Sequence, residues 1–379
     1  MDGVLVVGAG PAGSAAAMVL ARHSVPVTLL DQAEFPRPKV CGDGIGWNTL
    51  RLLSELDIDL EGQTEALYSC HHVLGVSPSG HTYEGAFPQK NGRSRHGYVL
   101  PRQRLDHILW QKALEEGARF ERFRATQPIV EDGLVRGVRG STNGKTADRR
   151  ARITIIADGA TSTLARRLQP DRPSSRHAAI ARRAYFEGVE SRGRAEFFFN
   201  QSTLPGYAWI FPLGDGRANV GVGLRLDVAR KDRVSLRKAF ETFVHGRYVA
   251  ARFSGAEQIG RASSGLLPLA SGRVRRSYPG ALIVGDAGFF VSPLTGGGIY
   301  NALESGRTAA AVVHDALGSD GGTYQELRRF DRHCRAAIGR QLEREAVAQR
   351  LLSVPGVLDR VIQAMRRHDR FAQFVLNVF

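Results

Sequence analysis

The sequence predicts an α/β protein: a parallel-sheet nucleotide-binding domain, interrupted by an inserted antiparallel sheet and followed by helices. Three observations carry this expectation. A strand–glycine turn–helix–strand unit runs from Val4 to Asp31. Two further apolar runs, Ile153–Ile156 and Ala281–Val284, end in Asp158-Gly159 and Gly285-Asp286, as strands buried on both faces of a parallel sheet do. From about Ala178 to Leu226 the pattern turns antiparallel. There the alternating runs Tyr207–Leu213 and Ala218–Leu226 flank Gly214-Asp215-Gly216-Arg217, a hairpin signal.

Taken in order, Val4–Val7 reads as a strand, Ala12–His23 as a helix and Val25–Leu30 as a second strand, a βαβ opening of roughly 30 residues. A Pro- and Gly-rich loop, Phe35 to Gly46, leads to an amphipathic helix around Asn48–Leu56. Tyr68 to Tyr98 reads as short strands with a turn at Ser77-Pro78-Ser79-Gly80. Arg102 to Glu116 is helical, with Leu105, Ile108, Leu109 and Ala113 on one face. A glycine loop, Thr295–Gly298, opens a small-residue helix from Ile299 to Leu317, and a charged helical stretch from Thr323 to Phe379 breaks at Pro355-Gly356. This order assigns 1–67, 98–175 and 265–320 to the nucleotide-binding domain, 68–97 and 176–264 to the inserted sheet, and 321–379 to a C-terminal helical segment.

The chain has 379 residues, 42% of them hydrophobic and 23% charged, which excludes disorder and fibres. A net charge of +15, mostly from arginine, favours anions: cofactor phosphates, a phosphorylated substrate or an anionic membrane surface. Basic pairs such as Arg166-Arg167, Arg275-Arg276 and Arg366-Arg367 are scattered, and no basic run interleaves with aromatics, so nucleic acid is not an expected partner. Cys41, Cys70 and Cys334 lie far apart; with no signal-peptide pattern before Val4, the expected location is a reducing cytoplasm, at most peripheral at the membrane. No run approaches the ~18 apolar residues that span a bilayer.

Gly8-Ala9-Gly10-Pro11-Ala12-Gly13 fits G-x-G-x-x-G. Gly8 permits the turn, Gly10 lets backbone approach a pyrophosphate, and Gly13 lets helix and strand pack closely. The anion sits on the amides and positive dipole of the helix start, and Asp31 is placed to accept from ribose hydroxyls. This Rossmann fingerprint serves both NAD and FAD. Ser292-Pro293-Leu294-Thr295-Gly296-Gly297-Gly298 leads directly into a helix, a loop and helix start suited to a developing negative charge. No His/Cys/Asp/Glu spacing suggests a metal, the His71-His72 pair having no spaced partners.

The ordered set Arg102-Gln103-Arg104-Leu105-Asp106, Asp158-Gly159 and Gly285-Asp286 resembles the flavoproteins whose fold is typified by p-hydroxybenzoate hydroxylase. That resemblance implies FAD as cofactor, with Arg102 on the nucleotide, Asp158 and Gly159 near the pyrophosphate, Asp286 on the ribityl chain, and Pro293, Gly296, Gly297 and Gly298 at the isoalloxazine. Two further motifs resemble the geranylgeranyl reductase family: Pro36-Arg37-Pro38-Lys39-Val40-Cys41-Gly42-Asp43-Gly44, matching P-x-x-K-x-C-G, and Tyr207-Ala208-Trp209-Ile210-Phe211-Pro212, matching Y-x-W-x-F-P. The first is similar to the branch acting on menaquinone side chains. Members often carry Glu in the glycine loop, where this chain has Gly297.

The resemblance implies reduction of an isoprenoid carbon–carbon double bond, with Lys39, Cys41 and Gly42 beside the flavin, Cys41 tuning it or touching the alkene, and Tyr207 and Trp209 forming an aromatic wall. The bland readings remain beside these: Cys41 as a small apolar residue, Tyr207 and Trp209 as sheet core. With no second G-x-G-x-x-G, electrons come from NADPH or NADH bound without a dedicated domain, or from an electron-donor protein. A hydroxylase shares every flavin motif quoted and is the main alternative. A halogenase is disfavoured, because Tyr207 and Phe211 stand where W-x-W-x-I-P has Trp and Ile. Near the C-terminus, Phe371, Phe374, Val375, Val378 and Phe379 with Arg366, Arg367 and Arg370 form either an interfacial helix or a helix packed on the body.

Overall fold

The computed structural model describes residues 3–90, 93–171, 173–272, 274–318 and 324–377. It divides into two compact units. The first comprises Met1–Pro38, Gln103–Ser174 and Pro268–Glu345; the second comprises Lys39–Arg102, Ser175–Leu267 and Ala346–Phe379.

The first unit is built on a sheet whose strands run in the order Arg119–Arg122, Val27–Asp31, Val4–Val7, Ile153–Ile156, Ala281–Ile283 and Ser277–Tyr278, parallel except for the last. Val4–Val7 and Ile153–Ile156 are buried along their whole length, which is why both read as unbroken apolar runs. The second strand begins at Val27 rather than Val25, because Pro26 has no N–H to give the ladder. Small residues allow the helices Pro11–Arg22 and Ile299–Gly318 to pack backbone to backbone: Ala12, Ala15 and Ala16 on one, Ala302, Gly306, Ala309 and Ala310 on the other. A Cβ at Gly306 would lie 2.1 Å from the Ala12 carbonyl oxygen.

A three-stranded meander, Arg124–Glu131, Leu134–Thr142 and Lys145–Arg150, belongs to the same unit and has no counterpart in the sequence reading above. Its outer strands are half-exposed and polar and carry little apolar alternation, while Val135 and Val138 of the middle strand are buried in the core. Its turns are two-residue pairs, Asp132-Gly133 and Asn143-Gly144, with positive φ at both residues of each, as twist-matched hairpins require.

The second unit centres on a seven-stranded mixed sheet in the order Glu257–Pro268, Ala178–Glu187, Arg217–Arg225, Tyr207–Gly214, Arg194–Phe198, His72–Val76 and Thr82–Ala86. Arg194–Phe198 and His72–Val76 pair in parallel. The hairpin expected at Gly214–Arg217 is present, with Asp215 at φ 50° and Gly216 at φ 71°. One face packs Leu74, Val76, Phe186, Ile210, Val220 and Val222 against the helix Leu236–Val244. In the helix Asp369–Leu376, Phe371 and Val375 pack with Val73 and Met365, while Phe374 is 67% exposed. Val378 and Phe379 lie outside the described residues. Among the described residues, no helix is long and apolar enough to cross a membrane.

Candidate active site

In the first unit the expected nucleotide motifs converge at the ends of the parallel strands. Gly8, at φ 103°, turns the chain so closely that a Cβ there would meet the Ala157 carbonyl at 2.3 Å and the Asp158 Cα at 2.9 Å. Gly13 is closer still, its Cβ falling 1.7 Å from the Gly8 carbonyl oxygen. Gly10, the N-cap of Pro11–Arg22, differs: a Cβ there meets only Arg37 Nη2, at 3.7 Å. The helix start has no side-chain cap and no acidic residue in its first turn. Its amides and dipole therefore face an open approach, and the residues fit a dinucleotide pyrophosphate.

Asp31 ends the second strand and accepts hydrogen bonds from the Ala9 N–H (2.8 Å) and the Ala33 N–H (2.9 Å), fixing it to the glycine loop with lone pairs to spare. Arg37 reaches toward it, Nη2 lying 3.9 Å from Asp31 Oδ2, and donates from Nη1 to the buried Asp106 at 3.1 Å. Gly285 abuts Ala12, and Asp286 Oδ1 stands 3.3 Å from where a Gly298 Cβ would be, so Gly285-Asp286 joins the first helix to the glycine loop. That loop is braced from below. Buried Glu345 accepts from Ser292 Oγ (2.5 Å) and Gln341 Nε2 (2.7 Å), while Ser292 Oγ accepts from the Thr295 N–H at 3.0 Å. Pro293 is buried, Gly296 adopts φ 67°, and the helix from Ile299 has no acidic first-turn residue.

Asp158 Oδ1 is buried without a hydrogen-bond partner. Burial pushes its carboxyl up to about 6, against bonds from Ser162 and the following amides. Because this lies above the unfolded value of 3.8, the folded form holds an extra proton between the two. Asp158 thus favours folding when protonated, and that contribution is lost as pH rises from 3.8 to about 6. Asp158→Asn is expected to gain thermal stability over the wild type as pH rises through this window, as read by calorimetry. A constant difference between the two proteins contradicts the assignment.

In the second unit, directly opposed positions in the antiparallel sheet share a face. Three such rows are Ala181–Gly223–Tyr207, Arg183–Gly221–Trp209 and Tyr185–Asn219–Phe211. The Trp209 indole lies across Gly221, where a Cβ would fall 2.2 Å from its ring. Phe197 packs edge-on to Tyr207 (5.4 Å) and Phe211 (5.3 Å). The result is an aromatic surface over glycine backbone. Burial pushes the Tyr207 hydroxyl up. At one corner stands Cys41, partly buried. Desolvation raises its thiol above the usual range, against the pull of the adjacent Arg102 guanidinium. Arg102 is itself buried. Gly42 packs on Trp209 and Phe211. Lys39 is exposed, its carbonyl 3.5 Å from Arg183 Nη2.

Sequence reasoning gave no role to Asp43, Tyr185, Asn219 or Arg183, all part of this corner. Asp43 accepts from Tyr185 Oη (2.7 Å), Asn219 Nδ2 (2.7 Å) and the Arg102 N–H (3.1 Å). Asn219 also donates to the Cys41 carbonyl (2.9 Å) and accepts from Trp209 Nε1 (3.0 Å). The available signal was a polar residue at an inward position of the alternating run Arg217–Arg225. Among the described residues no group of three or more His, Cys, Asp or Glu could hold a metal.

A family model described as an FAD binding domain matches residues 2–344. The chain is 35% identical over 340 residues to digeranylgeranylglycerophospholipid reductase 1 of Methanopyrus kandleri, covering 86% of this chain and 84% of the relative. It is 32% identical over 352 residues to the digeranylgeranylglycerophospholipid reductase of Methanoculleus marisnigri, covering 90% and 84%. Among solved structures, a geranylgeranyl bacteriochlorophyll reductase-like protein from Thermoplasma acidophilum superposes with a TM-score of 0.87 at 27% identity, covering 96% of this chain and 90% of that one. The chain is an FAD-binding oxidoreductase that belongs to the geranylgeranyl reductase family.

Proposed function

We propose that this protein saturates carbon–carbon double bonds in the isoprenoid chain of a lipid, such as a geranylgeranyl lipid or a prenylated quinone. The observation that carries the reading is the aromatic surface of Tyr207, Trp209, Phe211 and Phe197 over Gly221 and Gly223. An unactivated alkene offers no oxyanion to grip, so orientation on an apolar surface must supply much of the rate. The relatives' names, which state reduction of a digeranylgeranyl phospholipid, support the same substrate class.

FAD, when bound, supplies the hydride chemistry that no side chain offers. In this reading Gly8, Gly10 and Gly13 admit its pyrophosphate to the helix start, with Asp158 and Gly159 alongside, and Asp31 takes a ribose. Arg102 serves the nucleotide, Gly285-Asp286 the ribityl chain, and the Pro293–Gly298 loop with the start of the helix Ile299–Gly318 the ring edge that becomes negative on reduction. Lys39, Cys41 and Gly42 line the flavin, Tyr207 and Trp209 orient the alkene, and Cys41 remains a neutral thiol at pH 7 because desolvation raises it. The basic surface suits a phosphorylated head group or an anionic membrane. NADPH, NADH or an electron-donor protein provides the electrons.

The test is product analysis. Dithionite-reduced protein incubated anaerobically with a geranylgeranyl phospholipid is expected to yield product carrying two added hydrogens per event. Product that forms only with oxygen present, and gains an oxygen atom, makes the protein a monooxygenase.

A further inference from the structure

Asn219 is fully buried and hydrogen-bonds two of the residues that the proposed reaction uses in this unit, at the Cys41 backbone carbonyl and the Trp209 indole. Its orientation is forced. The Cys41 carbonyl can only accept a hydrogen bond and the Trp209 indole N–H can only donate one. The Asn219 NH2 must therefore face Cys41 and Asp43, and its oxygen must face Trp209. In that pose it makes three of the four hydrogen bonds an amide side chain offers.

Asp43 secures the other end. It is fully buried and takes donors from Tyr185, Asn219 and the Arg102 backbone. Burial raises its carboxyl, while these bonds and the charge of Arg183 lower it. Asp43 also sits at φ 65° between Gly42 and Gly44, a left-handed conformation that aspartate adopts more readily than most residues, so its three donors rather than its backbone mark the role of the carboxylate.

The geometry points to Asp43 and Asn219 as a pair of positioning residues that lock the Trp209 ring and the Cys41 peptide into one fixed relation. Deletion of the amide takes a hydrogen bond from the Trp209 N–H and the Cys41 carbonyl and leaves Asp43 Oδ2 with Tyr185 as its donor, in a buried site where such losses are costly. The indole is then free to pivot over Gly221, which has no side chain to stop it. This inference rests on the alkene-reductase reading only for its kinetic arm.

The experiment uses FAD-loaded protein labelled with [15N]tryptophan, whose three indole signals are assigned by Trp→Phe variants. Asn219→Leu is expected to move the Trp209 indole resonance and to lower kcat per bound flavin on a geranylgeranyl phospholipid by on the order of tenfold to a hundredfold. Asp43→Asn keeps the shape but turns an amide NH2 toward the Asn219 NH2, and it is expected to move the same resonance and to lower kcat by less than the leucine variant does. An unmoved Trp209 resonance in Asn219→Leu, or an unchanged kcat per flavin, overturns the proposal. If the leucine variant does not fold, Asp43→Asn decides instead: a displaced Trp209 resonance supports the lock, and an unmoved one refutes it. Wild type that saturates no prenyl lipid sinks the reductase reading instead, and the resonance arm still stands.

Discussion

Gly13→Ala is expected to give a protein without flavin. The added Cβ would lie 1.7 Å from the Gly8 carbonyl oxygen and 3.3 Å from the Ala157 Cβ. The obstacle is backbone, so relief requires the helix Pro11–Arg22 to move off the glycine loop. Overpacking of this kind costs about 1–3 kcal/mol or more, and it displaces the helix N-terminus whose amides receive the pyrophosphate. Both the flavin-to-protein ratio and the unfolding temperature are expected to fall. Gly10→Ala provides the contrast, since its Cβ meets only the end of the Arg37 side chain at 3.7 Å. That variant is expected to fold with native stability and to bind FAD poorly. Tight binding by Gly10→Ala contradicts a pyrophosphate at this helix start, and an intact yellow Gly13→Ala protein contradicts the packing.

Trp209→Ala is expected to have the next largest effect. The indole is 6% exposed, lies on Gly221 and satisfies the oxygen of Asn219. Truncation of a buried aromatic costs about 3–5 kcal/mol, and no side chain on Gly221 or Gly223 can collapse into the gap. Activity on a prenyl lipid is expected to fall with stability, because the surface that orients the alkene loses its largest plane. Trp209→Phe keeps an aromatic ring but loses the pyrrole part and leaves the buried Asn219 oxygen unpaired, so its stability loss is expected at about 1–3 kcal/mol, below that of alanine. Equal losses in the two variants, read by denaturant unfolding and kcat/KM, contradict a role for the ring's bulk.

The fold was legible where sequence pattern and physics coincide. Val4–Val7 and Ile153–Ile156 are buried on both faces and read as apolar runs, and Asp215-Gly216 supplies the positive φ that a two-residue hairpin needs. The meander at Arg124–Arg150 was missed because its outer strands are polar and alternate weakly and its middle strand is interrupted by Gly137 and Gly140, although Asp132-Gly133 and Asn143-Gly144 spelled out its turns. Long-range partners were the least legible part of the site. Cys41 and Trp209 stand out as residue types, but nothing in a linear sequence announces that Asn219 meets Cys41 across 178 positions. The same holds for Glu345, which braces Ser292 from 53 residues away. Asp43 was visible inside a motif, and only its burial and three donors give it a role.

The most direct test of alkene reduction is a single anaerobic turnover. Fully reduced, FAD-loaded protein is mixed with a geranylgeranyl phospholipid in the absence of oxygen, and the return of yellow flavin absorbance is followed alongside loss of the alkene. The expected result is reoxidation with one double bond saturated per flavin. Flavin that stays bleached beside intact lipid, and regains colour only when oxygen is admitted, contradicts the account.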